Sequence, residues 1–408
     1  MCFLLVFSVD NVSLLFVVVD FASFFLENII FNPGDYDYKN FIKNNEYFVD
    51  KTNLIMELNE SINSNMKFFC VTSPRKFEIK VIVNMLVAYY SFYELKINTD
   101  FRKYNVIKLD MEKIFFNNNK KDGIEKIKKS IIDDVKMYNK HFECDEKEDF
   151  DEIIEKICRS TCRKIVLIMN EWDLVFRDIS CDTESRRDYL IFLILLIKDN
   201  PNIVLTFMTG ILPIKNERLS PSIKGIFDEF SMTSNSYLYE YVEILDNQYE
   251  TEISIIENID ENKERIIAIN YKMIKDWYNG YLFTNRNDRK EYDIFIAYSV
   301  IQAIKTKKID NYWIKTESDA VFLDYVVKNL KGEEEDIALL MNKGKLKINI
   351  DEYRNDVYEN KDANLTILIH LGYLAYDSKS ESVYIPNKEI KQRIWRSKQI
   401  GLNKKYIY

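Results

Sequence analysis

Short runs of continuous apolar residues alternate along this chain with longer stretches in which apolar positions recur every three or four residues. Lys67–Val71, Lys164–Met169 and Ile203–Met208 are runs of the first kind, and Tyr104–Asp110, with Asn105 and Lys108 among its apolar residues, reads as a strand beside them. Val, Ile, Leu and Phe in unbroken series suit strands covered on both faces, as in a parallel sheet whose crossovers are helices. The helical stretches are Val81–Tyr90, two near residues 121–141 and 147–161, and one near 184–199. The pattern predicts an α/β fold with a parallel sheet flanked by helices. After about Glu240 it changes: Tyr249–Lys263 is polar and acidic and reads as an insertion or linker. Ile266–Tyr278, Tyr292–Thr306, Ala320–Leu330 and Leu365–Leu374 then read as helices and Ser382–Pro386 as a strand, which gives a mainly helical C-terminal region. Glu333–Asp336 is either a surface turn or an acidic first helical turn, which the helix dipole favours. The divisions expected are 1–28, an apolar N-terminal extension; 29–240, the α/β domain; 241–400, the mainly helical region; and 401–408, a tail.

Candidate chemistry falls at the ends of three of the strands. Ser73, Pro74, Arg75, Lys76, Phe77, Glu78, Ile79 and Lys80 lie between a strand and a helix, where a phosphate-binding turn belongs. Such a turn needs G-x-x-x-x-G-K-[ST], because backbone N–H groups wrap phosphate only where no side chain blocks them. No glycine occurs between Gly34 and Gly123. The strand Lys164–Met169 runs into Asn170, Glu171, Trp172 and Asp173, and Ile203–Met208 runs into Thr209 and Gly210. In open sheets of this kind ligands sit at the carboxyl ends of strands, so the three ends should meet.

Seven ordered motifs give a resemblance over most of the chain. Tyr47–Thr52 is similar to Y-[YF]-V-D-K-T, Ser73–Phe77 to R-P-R-R-F, Met208–Lys215 to T-G-I-L-P-I-K, and Phe227–Met232 to F-x-E-[FY]-S-M. Trp277–Tyr281 is similar to W-Y-D-G-Y, Tyr312–Trp313 with Thr316 to Y-W-x-x-T, and Leu371–Leu374 with Ile385–Asn387 to G-Y-L and I-P-N-x-E. By these residues the chain resembles the AAA-ATPase-like family, a P-loop branch often followed by a PD-(D/E)XK nuclease-like domain. The resemblance implies a P-loop NTPase-like fold, ATP and Mg2+ as cofactors, a water-activating role for Glu171, and a γ-phosphate-reporting role for Thr209.

The departures concern the chemistry. Without gaps, the family's glycine, lysine and hydroxyl residue fall on Glu78, Ile79 and Lys80, and its metal-anchoring Asp on Asn170. Its G-F-T-E is absent, its Y-N-P reads Phe295-Ile296-Ala297, and nothing resembling the nuclease domain follows Ile400. Glu78 also repels phosphate: two like charges ~4 Å apart cost about 1 kcal/mol in water and about 4 kcal/mol at a partly buried site. A one-residue insertion would instead make Lys80 the phosphate lysine, leaving Ile79 at the glycine and Val81 at the hydroxyl position. The gapless register is preferred.

Three readings follow. The first is a degenerate nucleotide site on a non-hydrolysing binding or scaffold module, with no cofactor and an unidentified protein partner. The second is an active ATPase using Lys80 for phosphate and Glu171 and Asp173 for metal and water, with ATP and Mg2+ as cofactors. The third is a Mg2+-dependent nuclease, since Glu78-Ile79-Lys80 and Glu389-Ile390-Lys391 each fit E-x-K; in a chain so rich in Glu and Lys such tripeptides arise by chance. Blander roles stand beside these: Thr52 as a helix cap, Arg75 as a partner for Glu171 or Asp173, and Trp277, Tyr278 and Tyr281 as packing aromatics.

The formal charge of −8, with basic residues spread among acids, gives no stripe for a nucleic-acid backbone. Lys120, Lys121, Lys126, Lys128 and Lys129 fit the wet face of one helix. The six cysteines read as free thiols, which fits a cytoplasmic protein; Cys158 and Cys162 alone do not complete a metal set, and His370 sits in an apolar segment at the edge of the core. Phe3–Val19 is apolar but interrupted by Asp10 and Asn11, with no Lys or Arg before Lys39. That favours a peripheral strand or helix, or a start beyond the native one, over a signal peptide or a membrane span. Removing residues 1–28 is therefore expected to leave a soluble, folded protein. Full-length protein that needs detergent, cured by the truncation, would reverse this expectation.

Overall fold

Five parallel strands carry the architecture. The computed structural model describes residues 3–6, 16–19, 51–74, 79–91, 104–115, 123–145, 147–178, 180–197, 200–214, 227–234, 238, 270–284, 290–313, 334–354 and 360–394. The chain begins with β1 (Phe3–Val6) and β2 (Phe16–Val19), an antiparallel pair. Next come α1 (Asn53–Ser61), β3 (Phe68–Thr72), α2 (Ile79–Ser91), β4 (Tyr104–Asp110) and α3 (Met111–Phe115). The sheet is completed through α4 (Gly123–Tyr138), α5 (Phe150–Thr161), β5 (Lys164–Asn170), α6 (Leu174–Arg177), α7 (Thr183–Ile197), β6 (Ile203–Gly210) and β7 (Asp228–Phe230).

The strand order is β4-β5-β6-β3-β7, every neighbouring pair parallel. All residues of β3 and β6 are buried, and all of β5 except Lys164. This is the two-sided burial that the apolar runs predict. β6 lies between β3, which precedes the phosphate-loop segment, and β5, which ends in the carboxylates. β7 has only three residues, too short for a run to betray it in the sequence.

The later region mixes helix and strand. α8 (Tyr271–Tyr278) is capped by Asn270, whose side chain accepts from the Met273 N–H. β8 (Asn279–Thr284) then pairs antiparallel with β9 (Glu291–Phe295). The single helix expected over Tyr292–Thr306 is thus a strand followed by α9 (Ala297–Thr306), with Ile296 extended between them. Glu291, Tyr292, Asp293 and Ile294 alternate polar with apolar, which is strand periodicity. α10 (Glu334–Met341) begins at the acidic run, so its acids occupy a first turn. β10 (Leu346–Lys347), β11 (Ala375–Asp377) and β12 (Ser382–Tyr384) form a small antiparallel sheet around α11 (Lys361–His370). α11 starts earlier than its apolar run because Asn360 caps it, accepting from Ala363 N–H at 2.7 Å; it stops before Gly372, whose φ is 82°. Thr52 precedes α1 without a side-chain capping bond, contrary to expectation. The segments expected at Tyr249–Lys263, Ala320–Leu330 and 401–408 lie outside the described residues.

One apolar core joins the sheet to the later region, with Phe230 stacked on Phe283 at 5.5 Å. His370 is fully buried in it, its ring 5.7 Å from that of Tyr353. Tyr278 and Tyr281 are packing aromatics whose hydroxyls donate to Asp310 O and Gly372 O. Among the described residues no helix is long and apolar enough to cross a membrane. Cys70, Cys144, Cys158 and Cys162 are free thiols.

Glu389 organises the end of this region. It is fully buried, and its Oε1 accepts from the N–H groups of Tyr312 and Trp313 at 2.7 and 2.9 Å and from Ser299 Oγ at 3.1 Å. Residues 388–394 are helical, so the Glu389–Lys391 tripeptide is not on a strand as a nuclease would need. Glu389→Ala strands three donors and should cost at least about 3 kcal/mol, read as a lowered urea midpoint. Glu389→Gln, which keeps an acceptor oxygen, should cost about 1 kcal/mol. Equal midpoints for Glu389→Ala and wild type would show the carboxylate to be dispensable.

Candidate functional site at the strand ends

Register brings the expected residues into one row. Asp110 is paired with Asn170, Asn170 with Thr209, and Thr209 with Val71, on four adjacent parallel strands. Side chains at paired positions of parallel strands leave the sheet on the same face. The Thr209 hydroxyl accordingly reaches Asn170 and donates to its Oδ1 at 3.0 Å. Asp110 was not anticipated as a site residue. It is nine-tenths buried, and its Oδ2 lies 4.0 Å from the exposed Lys113 ammonium.

Beyond Asn170 the chain turns sharply. Glu171 has φ 59°, a left-handed conformation that is unusual for a residue with a side chain. The turn is stitched to β6 by Trp172 N–H donating to Thr209 O at 3.0 Å, and to α7 by the Tyr189 hydroxyl donating to Trp172 O at 2.8 Å. Asp173 then starts the single turn α6, and Arg177 stands four residues on, one helical turn away and on the same face.

Arg177 is the functional side chain that sequence reasoning missed. Its Nε donates to Asp173 Oδ2 at 3.0 Å and its Nη2 donates to Glu171 Oε2. The side chains of Arg177 and Asp173 are 2% and 0% exposed, against 19% for Glu171. Asp173 Oδ2 also accepts from Leu212 N–H at 2.8 Å, tying α6 to the turn after β6. Arg75, considered as a partner for the same two acids, lies outside the described residues, and the available signal for Arg177 was the spacing Glu171, Asp173, Arg177. Burial pushes the Tyr189 phenol and the Cys70 thiol well above their usual ranges, and the Asp173 charge adds to both.

Ser73 is buried, and its N–H donates to Gly210 O at 3.0 Å; Pro74 is buried as well. Arg75, Lys76, Phe77 and Glu78 lie outside the described residues. Ile79 and Lys80 open α2, and Lys80 is exposed with its ammonium 4.0 Å from Glu112 on α3. The later region packs on the loop: a Cβ at Gly372 would lie 2.9 Å from Pro74 Cβ and 2.8 Å from Trp313 Cη2.

A Mg2+ ion held as in P-loop ATPases needs uncommitted oxygens, above all a charged one at position 170. Here Asn170 is neutral with its oxygen accepting from Thr209, and Glu171 and Asp173 both accept from Arg177. The charged oxygen is thus missing at position 170, while Asp110 Oδ1 and Asp173 Oδ1 are buried without a hydrogen-bond partner. Among the described residues no group of three His, Cys, Asp or Glu side chains could hold a metal. An open surface concavity of about 880 Å3, lined by Glu125, Lys136, Cys144, Glu148 and Lys156 among others, contains none of the strand-end residues.

A parallel sheet in this order, with a strand-loop-helix unit, carboxylates after a second strand and a threonine at the end of the strand between them, defines a P-loop NTPase-like protein. Residues 34–220 match the model of the AAA-ATPase-like family, described as "Predicted AAA-ATPase", and that segment belongs to the family. No curated protein matches the chain. Among solved structures it is similar to a Walker-type ATPase of Pyrococcus abyssi, at 9% identity and a TM-score of 0.43, over 84% of this chain and 93% of that one.

Gly210 gives a test of the site's packing. A Cβ there would lie 2.5 Å from Asp173 Oδ1 and 2.7 Å from Trp172 Cδ1. Gly210→Ala should destabilise by about 1–3 kcal/mol, the usual cost of overpacking, visible as a lower melting temperature. An unchanged melting temperature would mean that Trp172 and Asp173 are not held against β6.

Proposed function

We propose that this protein is an AAA-ATPase-like module whose nucleotide site no longer hydrolyses ATP and which serves as a binding or scaffold element for a protein partner in the cytoplasm. The observation that carries the reading is the bond from the Thr209 hydroxyl to Asn170 Oδ1 at 3.0 Å. It engages, with an uncharged amide, the two positions that in an active relative serve the metal and the γ-phosphate. The phosphate loop adds its own losses in the gapless register, with Glu78, Ile79 and Lys80 where glycine, lysine and a hydroxyl residue belong.

The alternative, an ATPase using Lys80, Glu171 and Asp173, draws no support from the Lys80 side chain. Lys80 is exposed and lies near Glu112, and exposed pairs of this kind contribute about 0–1 kcal/mol, so it could be recruited only from solvent. Glu171 is committed to Arg177 and Asp173 to Arg177 and Leu212. A general base must reach the water whose proton it takes, and the oxygens that Glu171 and Asp173 spend on Arg177 are turned to its guanidinium instead.

Purified protein should therefore show Mg2+-dependent ATP hydrolysis no faster than its Glu171→Gln variant, and calorimetry should find weak ATP binding or none. Glu78→Gly, Ile79→Lys and Lys80→Ser combined with Asn170→Asp should restore measurable nucleotide binding, since each change returns a group that contacts phosphate or metal. Hydrolysis by the wild type that Lys80→Ala abolishes would instead establish the active reading and the insertion register.

A further inference from the structure

Two carboxylates leave one short turn and converge on one guanidinium. We propose that Arg177 is an internal cation which takes, at the strand ends, the place a divalent metal ion would otherwise hold. The inference deepens the reading of this site as a descended nucleotide site, and it concerns the state without nucleotide. Arg177 is thus a positioning residue: it acts through Glu171 and Asp173.

Three observations support it. The first is geometric: Nε and Nη2 of a single guanidinium are spent on Asp173 and Glu171, the two acids that follow the Asn170 strand end. The second is burial. With side-chain exposures of 2% for Arg177 and 0% for Asp173, water does not neutralise this charge, so a cation within the fold must. The third is the backbone: Glu171 is held at φ 59°, a conformation that costs energy unless surrounding contacts enforce it, and its bond to Arg177 is one of those contacts.

Without Arg177, two carboxylates two residues apart would face each other across the same turn. Hard oxygen ligands in that arrangement attract a divalent cation, which needs one or two carboxylates and otherwise keeps its waters. Glu171, at 19% exposure, gives such an ion a route from solvent. Among these three side chains the charge sums to −1, and removal of Arg177 leaves −2 on the two acids.

The test is thermal unfolding of the full-length, nucleotide-free protein in millimolar MgCl2 against NaCl of equal ionic strength. Wild type should show no shift between the two salts. Arg177→Gln should melt lower in NaCl, and Mg2+ should raise its Tm by about 2–4 °C. Arg177→Lys keeps the charge and should not respond to Mg2+. Adding Glu171→Gln to Arg177→Gln should abolish the response, which a merely structural role for Arg177 would not require. If Arg177→Gln is unfolded in NaCl, recovery of its circular dichroism in Mg2+ and loss in EDTA serves as the same readout. An Arg177→Gln variant indifferent to Mg2+, or a wild type that responds equally, overturns the proposal. ATP hydrolysis by the wild type would overturn the function proposed above and leave this outcome to be read independently.

Discussion

Asp173 is a carboxylate without contact with water, and the strand ends are arranged around answering its charge. An ion moved from water into a protein interior loses several kcal/mol of solvation even after relaxation, which only close, well-aligned partners can offset. Arg177 Nε and Leu212 N–H are those partners, one from the helical turn that Asp173 begins and one from the chain after β6. Because both bonds must be short, α6 and the segment after β6 are drawn together. Gly210, between them, has no room for a side chain. Trp172 is fixed by the same demand, its N–H on β6 and its carbonyl under the Tyr189 hydroxyl of α7.

The later region repeats the logic with different partners. Glu389 is as buried as Asp173, and its Oε1 accepts from two backbone N–H groups and a serine hydroxyl. Backbone donors cannot swing away, so Glu389 fixes the chain at Tyr312 and Trp313. Trp313 in turn lies edge-on to Tyr373 at 5.9 Å and against Gly372, which abuts Pro74. A path of packed groups therefore leads from a buried carboxylate in the last helical segment to the residue that opens the phosphate loop. The I-P-N-x-E and G-Y-L motifs lie on this path, which gives them a packing role independent of any nucleotide.

The parallel sheet was legible because two-sided burial leaves a plain mark, apolar runs, at β3, β5 and β6, while β4, with Asn105 and Lys108 among its apolar residues and only partly buried, occupies the range expected for it. The three-residue β7 left no such mark, and the β8–β9 hairpin was hidden because its alternation spans only Glu291 to Ile294 before helix-like residues resume. At the site, Asn170, Glu171, Asp173 and Thr209 could be placed from strand ends alone, since in a parallel sheet those ends are neighbours by construction. Arg177 could not, because its role depends on a single helical turn and on a left-handed Glu171 that no local composition signals. Asp110 was missed for another reason: a lone acid at a strand end gains meaning only from the register that sets it beside Asn170.

That register also bears on why an amide stands at position 170. An aspartate there would sit one strand from Asp110, at a spacing of roughly 5 Å, and on the same turn as Glu171 and Asp173. Two like charges at that distance cost roughly 3 kcal/mol at an effective dielectric of 20. A bound metal with its phosphates would offset this, whereas Arg177 is already shared between two acids. Asn170 keeps the hydrogen bond to Thr209 without adding a further charge beside Asp110. In the gapless register of the proposed reading, Ile79 in place of a lysine and Asn170 in place of an aspartate would offset one another in charge, and the register of the sheet is held by backbone pairing and core packing in either case.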